Sequence, residues 1–205
     1  MQKKYGETTE IKTVRSAVMD IKGGISAGSI TTTLNTLETF PVKYLIESYR
    51  PFGLSPIRPS GRSVKQKSVL FDQRLGGWIG PWFMSTTNAA VVFRTYGLLG
   101  GKWGTKFFYK EYLNYGSWIK SQMVRLMLRI CLLALTLPLF RWVVRKFAPG
   151  SGQGPTEEAM NNGKFTMKII AETDEETPRE GSVILSTNQD AAYLLTGIAS
   201  SECAK

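Results

Sequence analysis

The stretch Leu126–Phe147, LMLRICLLALTLPLFRWVVRKF, limits this chain more than any other. Its charge-free core, Ile130 to Phe140, is 11 residues long. As a helix that core rises about 16 Å, against a bilayer hydrocarbon thickness of ~30 Å. Extending it from Leu126 to Val144 takes in Arg129 and Arg141, each costly at mid-bilayer and far less so when it reaches the headgroups. Pro138 predicts a kink. Basic residues flank both ends, Arg125 and Arg129 before, Arg141, Arg145 and Lys146 after. Three placements stay open: an interfacial or re-entrant membrane segment, a tilted span, and a buried core helix. The first predicts contact with lipid from one side, with a preference for anionic headgroups, through Leu126, Arg129, Leu132, Leu133, Leu135, Pro138, Phe140, Arg141 and Trp142.

Charge narrows the partners. The 205 residues carry a net +10, unevenly spread: residues 1–150 hold 22 Lys+Arg against 7 Asp+Glu, and residues 151–205 hold 4 against 9. A basic surface attracts nucleic acid, anionic cofactors or acidic lipid. The basic residues lie in a loop and beside an apolar segment with no nucleic-acid module, so nucleic acid is not the expected partner. Histidine is absent, which removes Ser-His-Asp and Cys-His catalysis and histidine-ligated zinc. No metal site is expected, and proton transfer falls to Tyr, Lys, Asp or Glu. Cys131 and Cys203 read as free thiols of a reducing compartment. The start, MQKKYGETTE, has no apolar h-region, so no secretory signal is expected.

Residues 10–22 place Ile11, Val14, Val18 and Ile21 at helical spacing, and pattern alone reads them as helix. From Ser26 a helix is expected, capped by Ser26 or Ser29 and ended by Pro41, then a short helix from Val42 to Tyr49. Residues 50–68 hold three prolines, two glycines and no acid, and read as a mobile connector or a basic surface for phosphate-bearing ligands. NAAVVFRTYGLL reads as a helix stopped by glycines 97, 100, 101 and 104 in a flexible turn. Ala148–Pro155, APGSGQGP, reads as a linker. Beyond it Phe165, Met167, Ile169 and Ala171 alternate as a half-buried strand. An acidic turn, a strand at Ser182 to Ser186 and a helix from about Asp190 complete a β-turn-β-α unit.

The turn GGISAGSITTTLNTLE, Gly23 to Glu38, raises the question of a nucleotide site. Dinucleotide binding uses G-x-G-x-x-G, whereas the glycines here fall at 23, 24 and 28. What remains is a run of N–H groups at a helix start, which suits an anion. Together with GPWFMSTTNAAVVFRTYGLL, KFFYKEYLNYG, GQGPTEEAMNNGKFTMKIIAET and DAAYLLT, this turn resembles in order and spacing the saccharopine dehydrogenase-like oxidoreductases, a group that includes the trans-acting enoyl reductases of lipid synthesis. The resemblance covers most of residues 10–200. Its pattern has a G-G-x-S-x-G-T turn, a P-F-x-M-x-x-x-N…V-x-R segment, a G-P-[ST]-E-E stretch and a D-x-G-Y-x-x-T helix start. Ser29 departs from the threonine, Phe93 from a basic residue, and Ala192 from the glycine before Tyr193.

The resemblance implies an α+β fold, a mixed sheet with helices, and a strand rather than a helix entering the turn at Gly23. β-Branched Ile11, Thr13, Val14, Val18 and Ile21 suit that strand. It implies three parts: a substrate-side region over 1–120, the apolar membrane-associated segment 121–147, and 148–205 as linker and β-turn-β-α unit joining the same sheet. It implies NAD(P) for the full-length family and none bound by this chain alone, which reads as the later part of such a protein without its Rossmann domain. Gly23, Gly24, Ser26, Gly28, Ser29, Asn88 and Tyr193 are the residues it turns toward substrate or cofactor. Ser26 and Ser29 would be donors at the helix start, Asn88 would orient a carbonyl, and Tyr193 would donate a proton. The bland alternative for each is structural, and no catalytic residue is fixed.

Two functions stand side by side. One is a fragment of a membrane- or lipid-droplet-associated oxidoreductase of lipid or glycolipid metabolism. The other is a non-catalytic membrane-associated binding protein. Both predict a membrane or lipid-droplet partner and a place on the cytoplasmic face of a membrane, with lipid droplet or mitochondrion as the sites. A substrate part without its Rossmann partner also predicts exposed apolar surface and self-association into homo-oligomers.

Overall fold

The computed structural model describes residue 6 and residues 8–23, 27–61, 66–147 and 154–203. Its architecture is α+β, with a mixed six-stranded sheet in the order β2-β3-β4-β1-β5-β6. The strands are β1 Ile11–Lys22, β2 Leu70–Asp72, β3 Gly77–Gly80, β4 Phe108–Asn114, β5 Lys164–Thr173 and β6 Glu180–Thr187. The helices are α1 Ala27–Thr39, α2 Val42–Ser48, α3 Ser85–Leu98, α4 Trp118–Ala134, α5 Pro138–Phe147, α6 Glu157–Asn161 and α7 Thr196–Cys203. A single π-helical turn, Ala191–Leu195, leads into α7.

β1 corrects the reading of residues 10–22 as helix. Ser16, Ala17 and Val18 are all buried in sequence, as befits a strand covered on both faces, where alternation disappears. β1 runs parallel to β4, with Ser16 opposite Glu111. β2 and β3 form an antiparallel pair, and β3 pairs antiparallel with β4. The turn between β2 and β3 is fixed by the Asp72 carboxylate, which accepts from the Arg74 N–H at 3.0 Å.

The chain divides into two compact units. The first comprises Met1–Val18, Ile46–Leu128 and Lys168–Ile184. Its core is aromatic: Phe52, Phe93, Tyr96 and Phe107 are buried together, with Tyr96 and Phe107 stacked at 5.2 Å between centroids. Phe52 belongs to the stretch read as a mobile connector. Its ring is buried and its φ of 62° is left-handed, a backbone conformation a bulky residue adopts only when its surroundings fix it. Residues 50–61 carry no helix or strand but are anchored; residues 62–65 lie outside the described residues. The glycine turn after α3 is likewise tied down, since the Tyr96 hydroxyl donates to the Gly104 carbonyl at 3.0 Å.

In this unit the sheet curls. Laid flat, β2 and β6 would stand roughly 24 Å apart at about 4.8 Å per strand. Yet Arg74, just past β2, pairs with Glu180 at the start of β6 and with Glu172 of β5 at 2.8 Å. Arg15 of β1 joins Asp72 at 2.7 Å and Glu172 at 2.6 Å. Two arginines and three carboxylates thus bridge one concave face.

The second unit comprises Met19–Leu45, Arg129–Met167 and Leu185–Lys205. Here α1 carries α5, through Arg145 to Glu38 at 2.8 Å and to Asn35 at 3.2 Å. Lys164 of β5 pairs with Asp20 of β1 at 2.7 Å, and Thr166 of β5 bonds Ser186 of β6 at 2.9 Å. No single helix among the described residues is long and apolar enough to cross a membrane. α4 and α5 together meet that length and composition as a bent pair, turned by 106°. The kink expected at Pro138 is a full break over residues 135–137, with Pro138 opening α5, where its missing N–H costs nothing.

Candidate functional site

Sequence-predicted residues fall into two places. In the first unit, β4 carries Tyr109 and Glu111 on one face, two residues apart. Glu111 is buried. Its Oε1 accepts from Trp82 Nε1 and from Asn88 Nδ2, each at 2.8 Å. Its Oε2 accepts from the Tyr109 hydroxyl at 2.7 Å, which also meets Ser16 Oγ of β1 at 2.9 Å. Asn88 therefore has its amide N–H on a buried carboxylate. Burial pushes the Glu111 carboxyl above its ordinary range, and the donors from Tyr109, Asn88 and Trp82 pull it only part of the way back. Burial also raises Tyr109, with the charge of Glu111 adding to the effect. The arrangement holds a proton or a charge in a closed network of one carboxylate, one phenol, one amide and one indole.

Glu111 was not among the predicted residues. A signal existed: it is the only acid between Asp72 and Glu157, and it sits in FFYKEYL, a strand-like aromatic run where a lone carboxylate needs donors.

On the concave face of the same unit, an open groove of about 360 Å³ is lined by Lys12, Thr13, Arg15, Lys67, Leu70 and Glu172, among others. Burial favours the neutral acids at Asp72 and Glu172. For Asp72 the hydrogen bonds and charges of Arg74 and Arg15 outweigh it, and for Glu172 the bonds from Thr13 and Arg74 with the nearby arginines do so, so both carboxyls lie below the usual range. Lys110 is pushed down by burial and donates to the carbonyls of Gln66 and Lys67, each at 3.0 Å.

The second place is in the second unit, where the glycine turn meets the D-x-x-Y helix start. Asp190 is buried, and its Oδ2 accepts from the Tyr193 N–H at 2.8 Å. A Cβ on Gly23 would stand 2.1 Å from Asp190 Oδ1. A Cβ on Gly163 would meet the Asp190 backbone N at 2.3 Å, and one on Gly154 the Tyr193 hydroxyl at 2.8 Å. So Gly23, Gly154, Gly163, Asp190 and Tyr193 form one close-packed seat, made from three blocks distant in sequence. Tyr193 is 38% exposed. Gly28 and Ser29 are exposed in the first turn of α1. Gly24 and Ser26 lie outside the described residues. Of the apolar-segment residues, Leu126, Arg129, Leu132, Leu133, Pro138, Phe140 and Trp142 are exposed, and Leu135 and Arg141 are half-buried. Cys131 is a free, exposed thiol. Among the described residues no group of His, Cys, Asp or Glu could hold a metal ion.

This fold and these two clusters can be set beside known proteins. Two proteins of Mycobacterium tuberculosis, one from strain H37Rv and one from strain CDC 1551, both named "Putative trans-acting enoyl reductase", are each 26% identical to it over 220 aligned residues. The alignment takes in 97% of this chain and 50% of each relative, so the chain spans about half the length of the curated relatives it matches. No protein-family model matches the chain, and no solved structure matches it.

Proposed function

We propose that this chain is the substrate-side part of an NAD(P)-dependent oxidoreductase of the saccharopine dehydrogenase-like kind, acting on a lipid or lipid-linked substrate at a membrane or lipid-droplet surface. The observation that carries the reading is the similarity of nearly the whole chain to half of each enoyl reductase-named relative. The seat of Gly23, Asp190 and Tyr193 supports it, because the blocks behind the resemblance meet there in space.

At Gly23, the described end of the glycine turn, the surroundings do not fit a nicotinamide cofactor's pyrophosphate. The carboxylate of Asp190 fills the space against Gly23, where a phosphate would need a donor and an open approach. In this proposal the turn seats a helix start, and the cofactor's phosphates are held elsewhere than on this chain. Reduction of a carbon–carbon double bond takes up a hydride and a proton. This chain's share is the grip on the lipid and the proton, with exposed Tyr193 as its donor and Asp190 fixing the backbone from which the phenol projects. Glu111, with Asn88 and Tyr109, keeps the strand and helix of the first unit in register.

A second reading, a non-catalytic membrane-associated binding protein, is favoured by one observation: Leu132, Leu133 and Leu139 are 63–73% exposed. Tryptophan fluorescence separates the two. A long-chain α,β-unsaturated acyl ester should bind saturably and more tightly than its saturated counterpart, while NADPH should not bind at micromolar concentration. Saturable NADPH binding would put the cofactor on this chain. Indifference to the double bond would favour the binding protein.

A further inference from the structure

α5 is amphipathic; its two arginines bond to the protein, while Lys146 is exposed. Arg141 and Arg145, four residues apart, share one side of the helix, and Leu139, Val143 and Phe147 share the other. A surface helix of a water-soluble protein normally turns its apolar stripe to the core. Here Arg145 is bonded to Glu38 and Asn35 of α1, and Arg141 reaches back to the Leu135 carbonyl at 3.3 Å. The apolar ends of the helix are left outside: Leu139 is 73% and Phe147 80% exposed. Exposed Trp142 lies beside them, with Lys146 Nζ 5.3 Å over its ring. Leu132, Leu133 and Leu137, just before the helix, are exposed as well.

From this we infer that α5 lies flat on an anionic lipid surface, its apolar edge among the acyl chains and its arginine edge held by α1. The inference rests on reading residues 126–147 as a lipid-contacting segment and is independent of the substrate proposed above. Charge selects the occupant. From residue 112 to residue 156 there is no acid and there are six basic residues, so along its own segment the exposed apolar surface is flanked by charge of one sign. A second copy paired on the same face would bring Lys146 and Arg129 toward their own kind. Anionic headgroups would pair with them, at about 1 kcal/mol per basic residue near the surface. Trp142 suits the headgroup level, with an apolar body and a polar N–H.

The full chain can be floated with phosphatidylcholine vesicles with and without phosphatidylserine. Binding should be at least about tenfold tighter with phosphatidylserine, following the basic residues at the edge, and should fall with added salt. Leu139→Ser with Phe147→Ser should abolish it, and Lys146→Gln should weaken it on anionic vesicles only. Both substituted apolar residues are exposed, so circular dichroism should be unchanged in that variant. Equal binding to neutral vesicles would overturn the headgroup assignment, and undiminished binding of the double variant would overturn α5. Concentration-dependent association in solution, without vesicle binding and abolished by the same substitutions, would assign the face to a second copy. Failure of the enoyl ester titration leaves all these outcomes intact.

Discussion

Glu111 is the residue whose chemistry is most exacting. Its carboxyl is pushed up by burial, so its protonated form is favoured in the folded state relative to the unfolded chain. The sign follows: its contribution to stability is full below the unfolded value of about 4.3 and is lost as pH rises through the higher folded value. Glu111→Gln keeps the shape and does not titrate. The deficit of this variant in urea unfolding should therefore be larger at acid pH and shrink toward neutrality. Glu111→Ala, which leaves the indole, amide and phenol without their acceptor, should cost more, about 1–3 kcal/mol for each donor left buried and unpaired. The residue is visible in the sequence as a lone acid in an aromatic strand, but its partners Trp82 and Asn88 arrive from the segment after β3, which pairs with β4, and Ser16 meets the Tyr109 hydroxyl only through the pairing of β1 with β4. Asn88 was legible as a polar residue at a helix start. That its amide points to a carboxylate was not, because nothing local to α3 fixes where an amide finds its acceptor.

Among the elements, those with strong local signals were legible: α1, α2, α3, the strand at Phe165 to Ala171, and the helix start at Asp190. β1 was not, on pattern alone, because burial on both faces erases the alternation that marks a strand, and only β-branching and the resemblance tipped the reading. β2, three residues long, has no period to detect. The close seat around Asp190 was also hidden, since it joins residues more than a hundred positions apart. Its rigidity gives a prediction. Gly163→Ala would set a Cβ 2.3 Å from the Asp190 backbone N and 2.5 Å from its Cα, atoms that cannot move without the π-helical turn. Melting temperature should fall, by an amount equivalent to about 1–3 kcal/mol or more. Gly23→Ala meets a side-chain oxygen instead, and the added substitution Asp190→Ala should recover part of that loss.

At the scale of the whole molecule, the ion cluster of Arg15, Arg74, Asp72, Glu172 and Glu180 bridges strands that stand at opposite ends of the sheet order. No local signal in the sequence announces it, because its members sit in four separate segments and each reads singly as surface charge. Asp72 and Glu172 have lowered carboxyls, so their contribution is present above the unfolded values near 4 and is lost as pH falls through the folded ones. Arg15→Met should cost about 1–3 kcal/mol at neutral pH, since Arg74 still meets both acids. That cost should narrow below about pH 4, which urea midpoints across pH would reveal.

The break at residues 135–137 has a consequence for topology. Leu126 to Phe147 drawn as one straight helix would measure about 33 Å, enough to reach across a hydrocarbon layer of ~30 Å. Turned by 106°, the same residues have no such reach. The placement of everything after Phe147 is therefore decided at three residues and a proline: a variant that straightened them would lift α5 off α1, breaking the bonds of Arg145 to Glu38 and Asn35, and would pull β5 from the β1 strand it pairs with.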